Sequence, residues 1–164
     1  MTCQYEIRPI RKSDNPRVAG IIRDVMTEFG VVGCGSSIND HEVDDMYKAY
    51  SDTQSAFFVV TNKTEVMGCG GIGPLQFEDK DICELRKMYF LPEIRGNGMG
   101  TRLLELCLEQ AKERGYRLCY LETDESMSNA RQLYGKHGFE SLEKPMGDTG
   151  HSACNTWLAK DLLT

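Results

Sequence analysis

An α/β fold is what this 164-residue sequence predicts. Three observations carry that expectation. Residues 16–29 and 100–114 repeat apolar side chains at helical spacing, and residues 56–61, 65–75 and 82–91 read as strands. Between 82 and 122 a strand, a glycine-rich turn, a helix and a second strand follow directly on one another. That last arrangement is a βαβ unit, whose two strands pair in parallel, while the hairpin before it pairs antiparallel.

Taken in order, residues 5–10 form a short strand, and residues 16–29 form a helix with Val18, Ile21, Ile22, Val25, Met26 and Phe29 on one face. Residues 30–40, GVVGCGSSIND, read as a flexible loop, and residues 41–50 as a second helix with Val43, Met46, Tyr47 and Tyr50 on one face. The strands 56–61 and 65–75 flank Asn62 and Lys63 as a hairpin, and strand 82–91 follows the charged turn 77–81. In the helix from about Gly100 to Arg114, residues Leu103, Leu104, Cys107, Leu108 and Ala111 point inward, Gly115 ends it as a C-cap glycine, and strand 117–122 comes next.

Composition limits the function classes. The chain is 40% hydrophobic and 27% charged with five prolines, an ordinary globular balance for a single domain over residues 1–164. No apolar run approaches the roughly 18 residues of a membrane span, and MTCQYEIRPIRKSDNPR lacks a signal-peptide core, so a cytoplasmic location is expected. The seven cysteines are odd in number and form no CxxC, and several lie in apolar runs; they read as reduced and mostly buried. A net charge of −6 with dispersed basic residues argues against nucleic acid as a partner and tolerates a cationic substrate.

The sharpest signal is RGNGMG. Gly96, Gly98 and Gly100 crowd a helix start, where each glycine costs roughly 1 kcal/mol against alanine. A helix N-terminus offers unpaired N–H groups and about half a unit of positive charge, so the glycines let a phosphate approach the backbone, with Arg95 as a charged fork beside it. A dinucleotide fits in part: Thr101 stands where a third glycine or alanine is needed, although Glu122 ends the next strand about where a ribose-binding acid belongs. A Walker-type loop fails, because no Gly-Lys-Ser/Thr follows.

RGNGMG resembles the R/Q-x-x-G-x-G/A pyrophosphate signature of the GNAT superfamily of acetyl-CoA-dependent N-acetyltransferases, and two further segments join it. CELRKMYFLPEIRG is similar to that family's fourth strand, with Glu84 where many members keep an acid; SNARQLYGKHGF resembles its N-x-x-x-x-L/F-Y-x-x-x-G-F segment, with Asn129, Tyr134, Gly138 and Phe139. The resemblance covers residues 82–139. It implies a central mixed, mostly antiparallel, splayed sheet of about six to seven strands flanked by about four helices, with acetyl-CoA as co-substrate and no metal. It also implies that Met88, Tyr89 and Phe90 bond the pantetheine arm through backbone groups. The pyrophosphate would sit on Arg95, Gly96, Asn97, Gly98, Met99, Gly100 and Thr101, with Asn129 as a further CoA contact.

In strict alternation Glu84, Arg86, Met88 and Phe90 share one face of their strand, and Cys83, Leu85, Lys87 and Tyr89 the other. Adjacent charges at Arg86 and Lys87 fit a bulge or an opening to solvent better than a regular ladder.

Acetyl transfer to an amine needs two proton movements. An ammonium with a pKa near about 10 must lose a proton before attack, and the resemblance makes Glu84 the base; its ordinary pKa of roughly 4.3 demands burial or a water relay. The other reading of Glu84 is a strand carboxylate paired with Arg86 or a lysine. Tyr134 stands where the family keeps its general acid, stabilising charge on the departing thiolate; its other reading is core packing. Asn129 could equally be a helix-start residue.

By resemblance the acceptor contacts residues 31–41 and 145–151, with Tyr47 nearby. These segments are compact and polar, which fits a small-molecule amine such as an amino acid or related metabolite better than a peptide tail. A peptide amine and a non-catalytic acetyl-CoA-binding module are the alternatives, and homodimers are a family tendency. His151 and Cys154 have half a metal-site spacing with no second pair. The glycines of MGCGGIGPL are expected to make room for a ligand or a bulge on their strand.

Overall fold

A computed structural model describes residues 4–30, 40–124, 127–149 and 154–163. Its elements run β1 (Glu6–Pro9), α1 (Asn15–Glu28), α2 (Met46–Ala49), β2 (Ala56–Thr61), β3 (Val66–Pro74), β4 (Ile82–Phe90), α3 (Met99–Glu113), β5 (Leu118–Thr123), α4 (Ser128–Lys136), β6 (Glu140–Leu142) and β7 (Thr156–Asp161). The seven strands form one sheet in the order β1-β2-β3-β4-β5-β7-β6, antiparallel throughout except for the parallel pair β4 and β5. This is the mixed, mostly antiparallel sheet with four helices that the sequence led us to expect.

Two apolar layers hold it. The α3 stripe, Leu103, Leu104, Cys107, Leu108 and Ala111, is buried against Cys83, Leu85, Cys119 and Leu121 of β4 and β5. On the opposite face α1 buries Val18, Ile21, Ile22, Val25 and Met26 with Val43, Met46 and Tyr50 against Phe57, Val59 and Cys69. Leu103 has no exposed surface, so truncation to alanine costs about 3 kcal/mol. The five described cysteines are free, four of them buried and Cys154 half-buried; Cys3 and Cys34 lie outside the described residues.

The second helix is shorter than the sequence indicates. Residues 41–44 form a 3-10 turn, Asp45 breaks the run at φ −146°, and only Met46–Ala49 is α-helical. The Asp45 carboxylate caps α2 by accepting from the Lys48 backbone N–H and also accepts from Asn15 Nδ2 at 2.8 Å, while Asn15 Oδ1 accepts from the Tyr47 N–H at 3.0 Å, so the first residue of α1 helps to fix the start of α2.

Two departures from a regular ladder shape the functional region. First, β4 and β5 pair only where Ile82, Cys83 and Glu84 lie opposite Leu118, Cys119 and Tyr120. Past Glu84, β4 continues along β3 to Phe90 while β5 continues along β7 to Thr123, and the sheet splays. Second, Cys69 faces Tyr89 but Gly71 faces Arg86, so Lys87 and Met88 share Gly70 as a bulge, with Lys87 at φ +56°. The bulge expected from the Arg86–Lys87 charges is therefore present.

It also overturns strict alternation. Met88 and Phe90 pack on the α3 side with Cys83 and Leu85, while Tyr89 packs on the α1 side. One inserted residue reverses every side chain after it.

The β3 glycines make room for neighbouring side chains. A Cβ at Gly68 would lie 2.6 Å from the Phe90 ring, at Gly70 3.0 Å from Met88, and at Gly73 2.7 Å from Arg86 Nη1. Of the two expected roles for these glycines, room for a ligand or a bulge, the β3–β4 register shift at Gly70 supplies the bulge, and β4 side chains pass over β3 at Gly68, Gly70 and Gly73.

Candidate active site

The turn after β4 is built by conformation. Gly96 and Gly98 hold φ of +80° and +76° with no atom near where a Cβ would stand, so glycine is used there for its backbone freedom. Gly100 is different: a Cβ would lie 3.3 Å from Leu133 Cδ2, so its small size lets α4 close on α3. Helix α3 starts at Met99 with Gly98 as its left-handed N-cap, which leaves the first-turn N–H groups of Met99, Gly100 and Thr101 without intrahelical acceptors.

These residues edge an open groove of about 420 Å³. Met88, Tyr89, Phe90, Arg95, Gly96, Gly98, Met99, Gly100, Thr101 and Asn129 all line it, with Ala130 and Leu133 of α4 as its apolar far wall. Asn97 does not line the groove; its Nδ2 donates to the carbonyls of Ile94 at 2.9 Å and Arg95 at 3.3 Å and so holds the turn itself. The Arg95 fork is also engaged. Its Nη1 and Nη2 pair with Glu28 at 2.6 and 2.8 Å, Nε donates to the Phe90 carbonyl at 3.0 Å, and its guanidinium lies 5.4 Å from the Phe29 ring centre. Arg95 thus ties the end of α1 to the turn.

A second, smaller cavity of about 50 Å³ opens where β4 and β5 part, and it shares the walls Met88, Tyr89 and Met127 with the groove. Glu84 and Tyr134 both line it. Glu84 is 4% exposed, and its Oε1 accepts from Arg86 Nε at 2.5 Å. Tyr134, on α4, packs its ring against Phe139 at 5.8 Å. Burial pushes its phenol well above the ordinary tyrosine value, with Tyr89, Cys107 and Cys119 adding to the shift, so it remains protonated across the physiological range.

Charge runs from this cavity toward α2. Arg86 donates to the Pro74 carbonyl and lies 5.9 Å from the Tyr50 ring centre. Tyr50 Oη donates to Glu42 Oε1 at 3.0 Å. Lys87, its side chain 1% exposed, pairs with Asp40 and, at 3.4 Å, with Glu42. Burial disfavours charge on Arg86, but Tyr50 and Glu84 outweigh it and its pKa is raised above the ordinary arginine value.

Sequence reasoning did not bring Glu122, Asp124 or Cys154 to this cavity: it reads Glu122 against a ribose and Cys154 as half a metal site. Glu122 lies two residues past the Glu84–Tyr120 contact on β5, accepting from Tyr120 Oη at 2.9 Å and from Thr149 Oγ1. Asp124 follows it. Cys154 faces them, its thiol pushed up to about 12 by burial and by Glu122, Asp124 and Glu84. The parallel pairing of strands 82–91 and 117–122 was the available signal, since it puts Glu122 on the strand that leaves Glu84. Of the expected acceptor segments, residues 31–39 and 150–151, and with them His151, lie outside the described residues. Tyr47 is 43% exposed on α2 and is absent from the described walls of both cavities.

Residues 19–139 match the Acetyltransferase (GNAT) family. The N-acetyltransferase YjgM of Escherichia coli K12 is 41% identical over 157 residues, 95% of this chain and 94% of its own. Among solved structures, a GNAT-family acetyltransferase of Staphylococcus aureus Mu50 superimposes with a TM-score of 0.85 at 19% identity, over 96% of this chain and 99% of its own. The Salmonella typhimurium protein yncA, solved with its cofactor acetyl-CoA, gives 0.78 at 17% identity over 98% and 95%. The chain belongs to the GNAT family and is an acyltransferase of the N-acetyltransferase type.

Proposed function

We propose that this enzyme moves the acetyl group of acetyl-CoA to the primary amine of a small molecule, such as an amino acid or related metabolite, by direct attack, with Glu84 as general base and Tyr134 as general acid. The observation that carries this reading is the parting of β4 and β5 at Glu84, beside a cavity that Tyr134 also lines and that joins the glycine-turn groove through Met88, Tyr89 and Met127.

The donor fits the groove's chemistry. Its N–H-rich turn suits a pyrophosphate, and the apolar wall of Met88, Phe90, Ala130 and Leu133 suits an extended thioester arm. At neutral pH the carboxylate of Glu84, ionised beside Arg86, receives the proton that the ammonium must lose, through a bridging water where the amine is not in direct reach. Tyr134, kept protonated by burial, donates to the sulfur as negative charge develops there. Direct transfer is favoured over an acetyl-enzyme because Cys154, the thiol on the cavity wall, is held protonated. The compact, polar acceptor segments expected at residues 31–41 and 145–151 favour a small amine over a peptide tail. The reading also takes residues 1–164 as one acetyltransferase domain, placed in the cytoplasm; no helix among the described residues is long and apolar enough to cross a membrane.

The test is CoA-thiol release from acetyl-CoA across free amino acids, polyamines, aminoglycosides and lysine peptides, with Glu84→Gln and Tyr134→Phe alongside. Turnover of a small amine, reduced in both variants by about 10²-fold, is expected. Turnover of lysine peptides alone would reassign the acceptor.

A further inference from the structure

Arg86 is more than a counter-charge on the strand. Its guanidinium turns back along β4 so that Nε meets Glu84 Oε1 at 2.5 Å, while Nη2 donates to the carbonyl of Pro74 on β3. Both contacts use fixed N–H directions of one planar group, so the carboxylate is oriented as well as neutralised. The space for this posture is cut into β3 at Gly73, where a Cβ would stand 2.7 Å from Nη1 and 3.4 Å from Cζ. From the opposite side Tyr50 of the α2 segment closes on the guanidinium at 5.9 Å and hands its own hydroxyl to Glu42. The side chain of Arg86 is 15% exposed and that of Glu84 5%, so neither partner is free to swing into solvent.

We propose that Arg86 is a positioning residue for acetyl transfer, holding Glu84 ionised and aimed into the cavity, with Gly73 on β3 as the seat that allows it. This rests on Glu84 being the base. A buried carboxylate without a cation takes up a proton at neutral pH and stops being a base at all. The groups that face Glu84 beside Arg86 are Cys119 and Tyr120 from β5 and Cys154 across the cavity, with Glu122 and Asp124 on the same wall. Lys87 lines the same cavity but is paired with Asp40 and Glu42, whereas the Arg86 guanidinium bonds the Glu84 carboxylate directly.

The experiment follows Glu84 itself. Protein labelled with carboxyl-¹³C glutamate is titrated by NMR, the Glu84 signal being assigned by its loss in Glu84→Gln, for wild type, Arg86→Gln, Arg86→Lys and Gly73→Ala. Thermal stabilisation by acetyl-CoA confirms that each variant is folded. In Arg86→Gln the Glu84 midpoint is expected to rise by about one unit or more, with a smaller rise in Arg86→Lys and in Gly73→Ala. The acid limb of kcat/KM, measured by thiol release with the amino acids, polyamines and aminoglycosides of the acceptor panel, should move with it, while KM for acetyl-CoA changes less than about threefold. An unmoved midpoint in folded Arg86→Gln overturns the proposal, and if that variant does not fold, an unmoved midpoint in both Arg86→Lys and Gly73→Ala does so. Full thiol release by Glu84→Gln would instead remove Glu84 from the base role, whatever the titration shows. A dead Glu84→Gln beside an Arg86→Gln with wild-type midpoint and rate would leave the base reading standing and discard the positioning role alone.

Discussion

Arg95 and Glu28 form a two-pronged ion pair, Nη1 to Oε2 at 2.6 Å and Nη2 to Oε1 at 2.8 Å, that joins the turn after β4 to the last residue of α1. The Arg95 hydrogen bonds hold the Glu28 carboxyl below its usual range. Such a depressed group contributes stability above its unfolded value of 4.5, and the contribution is lost as pH falls through the lower folded value. With the Glu28 side chain 39% exposed the pair is worth less than about 1 kcal/mol. Glu28→Gln should therefore leave the neutral-pH melting temperature almost unchanged. Calorimetric titration should show acetyl-CoA affinity altered less than about threefold by Glu28→Gln but weakened about tenfold by Arg95→Ala, which also removes the bond to the Phe90 carbonyl.

Gly98 sits at φ +76° with open space around it, so Gly98→Ala costs backbone strain and no clash. A loss of about 1 kcal/mol in urea unfolding is expected, together with weaker acetyl-CoA binding because the first-turn N–H groups shift. Gly100→Ala should instead act through its contact with Leu133. Equal stability of Gly98→Ala and wild type would show that the turn adapts.

Lys87→Met removes a buried cation from between Asp40 and Glu42. The carboxylates are left facing each other with side chains only 26% and 25% exposed, and a destabilisation of about 3 kcal/mol is expected from denaturant titration. A change below about 0.5 kcal/mol would mean that these groups rehydrate freely.

Cys154→Ser should retain acetyl transfer with every acceptor, because a thiol pushed up to about 12 is no nucleophile at neutral pH. Mass spectrometry after incubation with acetyl-CoA alone should find no acetyl group on Cys154. Tyr134→Phe, by contrast, should keep its packing on Phe139 and its melting temperature but lose kcat.

What could be read from the sequence was whatever is local. The α3 stripe and its glycine turn announce themselves within twenty residues, because helical period and left-handed glycines are written in adjacent positions. Glu84 and Tyr134 were legible only through their segments' resemblance to a family. What stayed hidden is set by partners far off in the chain. Arg95 finds Glu28 across a separation of 67 residues, and Lys87 finds Asp40 across 47. The first of those pairings decides that the Arg95 fork is engaged; the β4 bulge is legible in the adjacent charges Arg86 and Lys87, but the reversal it imposes on the faces of Met88 and Tyr89 is not. The short α2 has the same cause, since Asn15 reaches Asp45 over 30 residues.

The most direct measurement follows the acetyl group. Enzyme, acetyl-CoA labelled at the acetyl carbonyl and the small-amine panel are mixed, and the label is traced to small-molecule product, protein or free acetate. Label in one N-acetylated small amine, absent from the protein and nearly abolished by Glu84→Gln, is the expected result. Label on the protein before any amine is added, or in a small amine at an unchanged rate with Glu84→Gln, would contradict direct transfer with Glu84 as base.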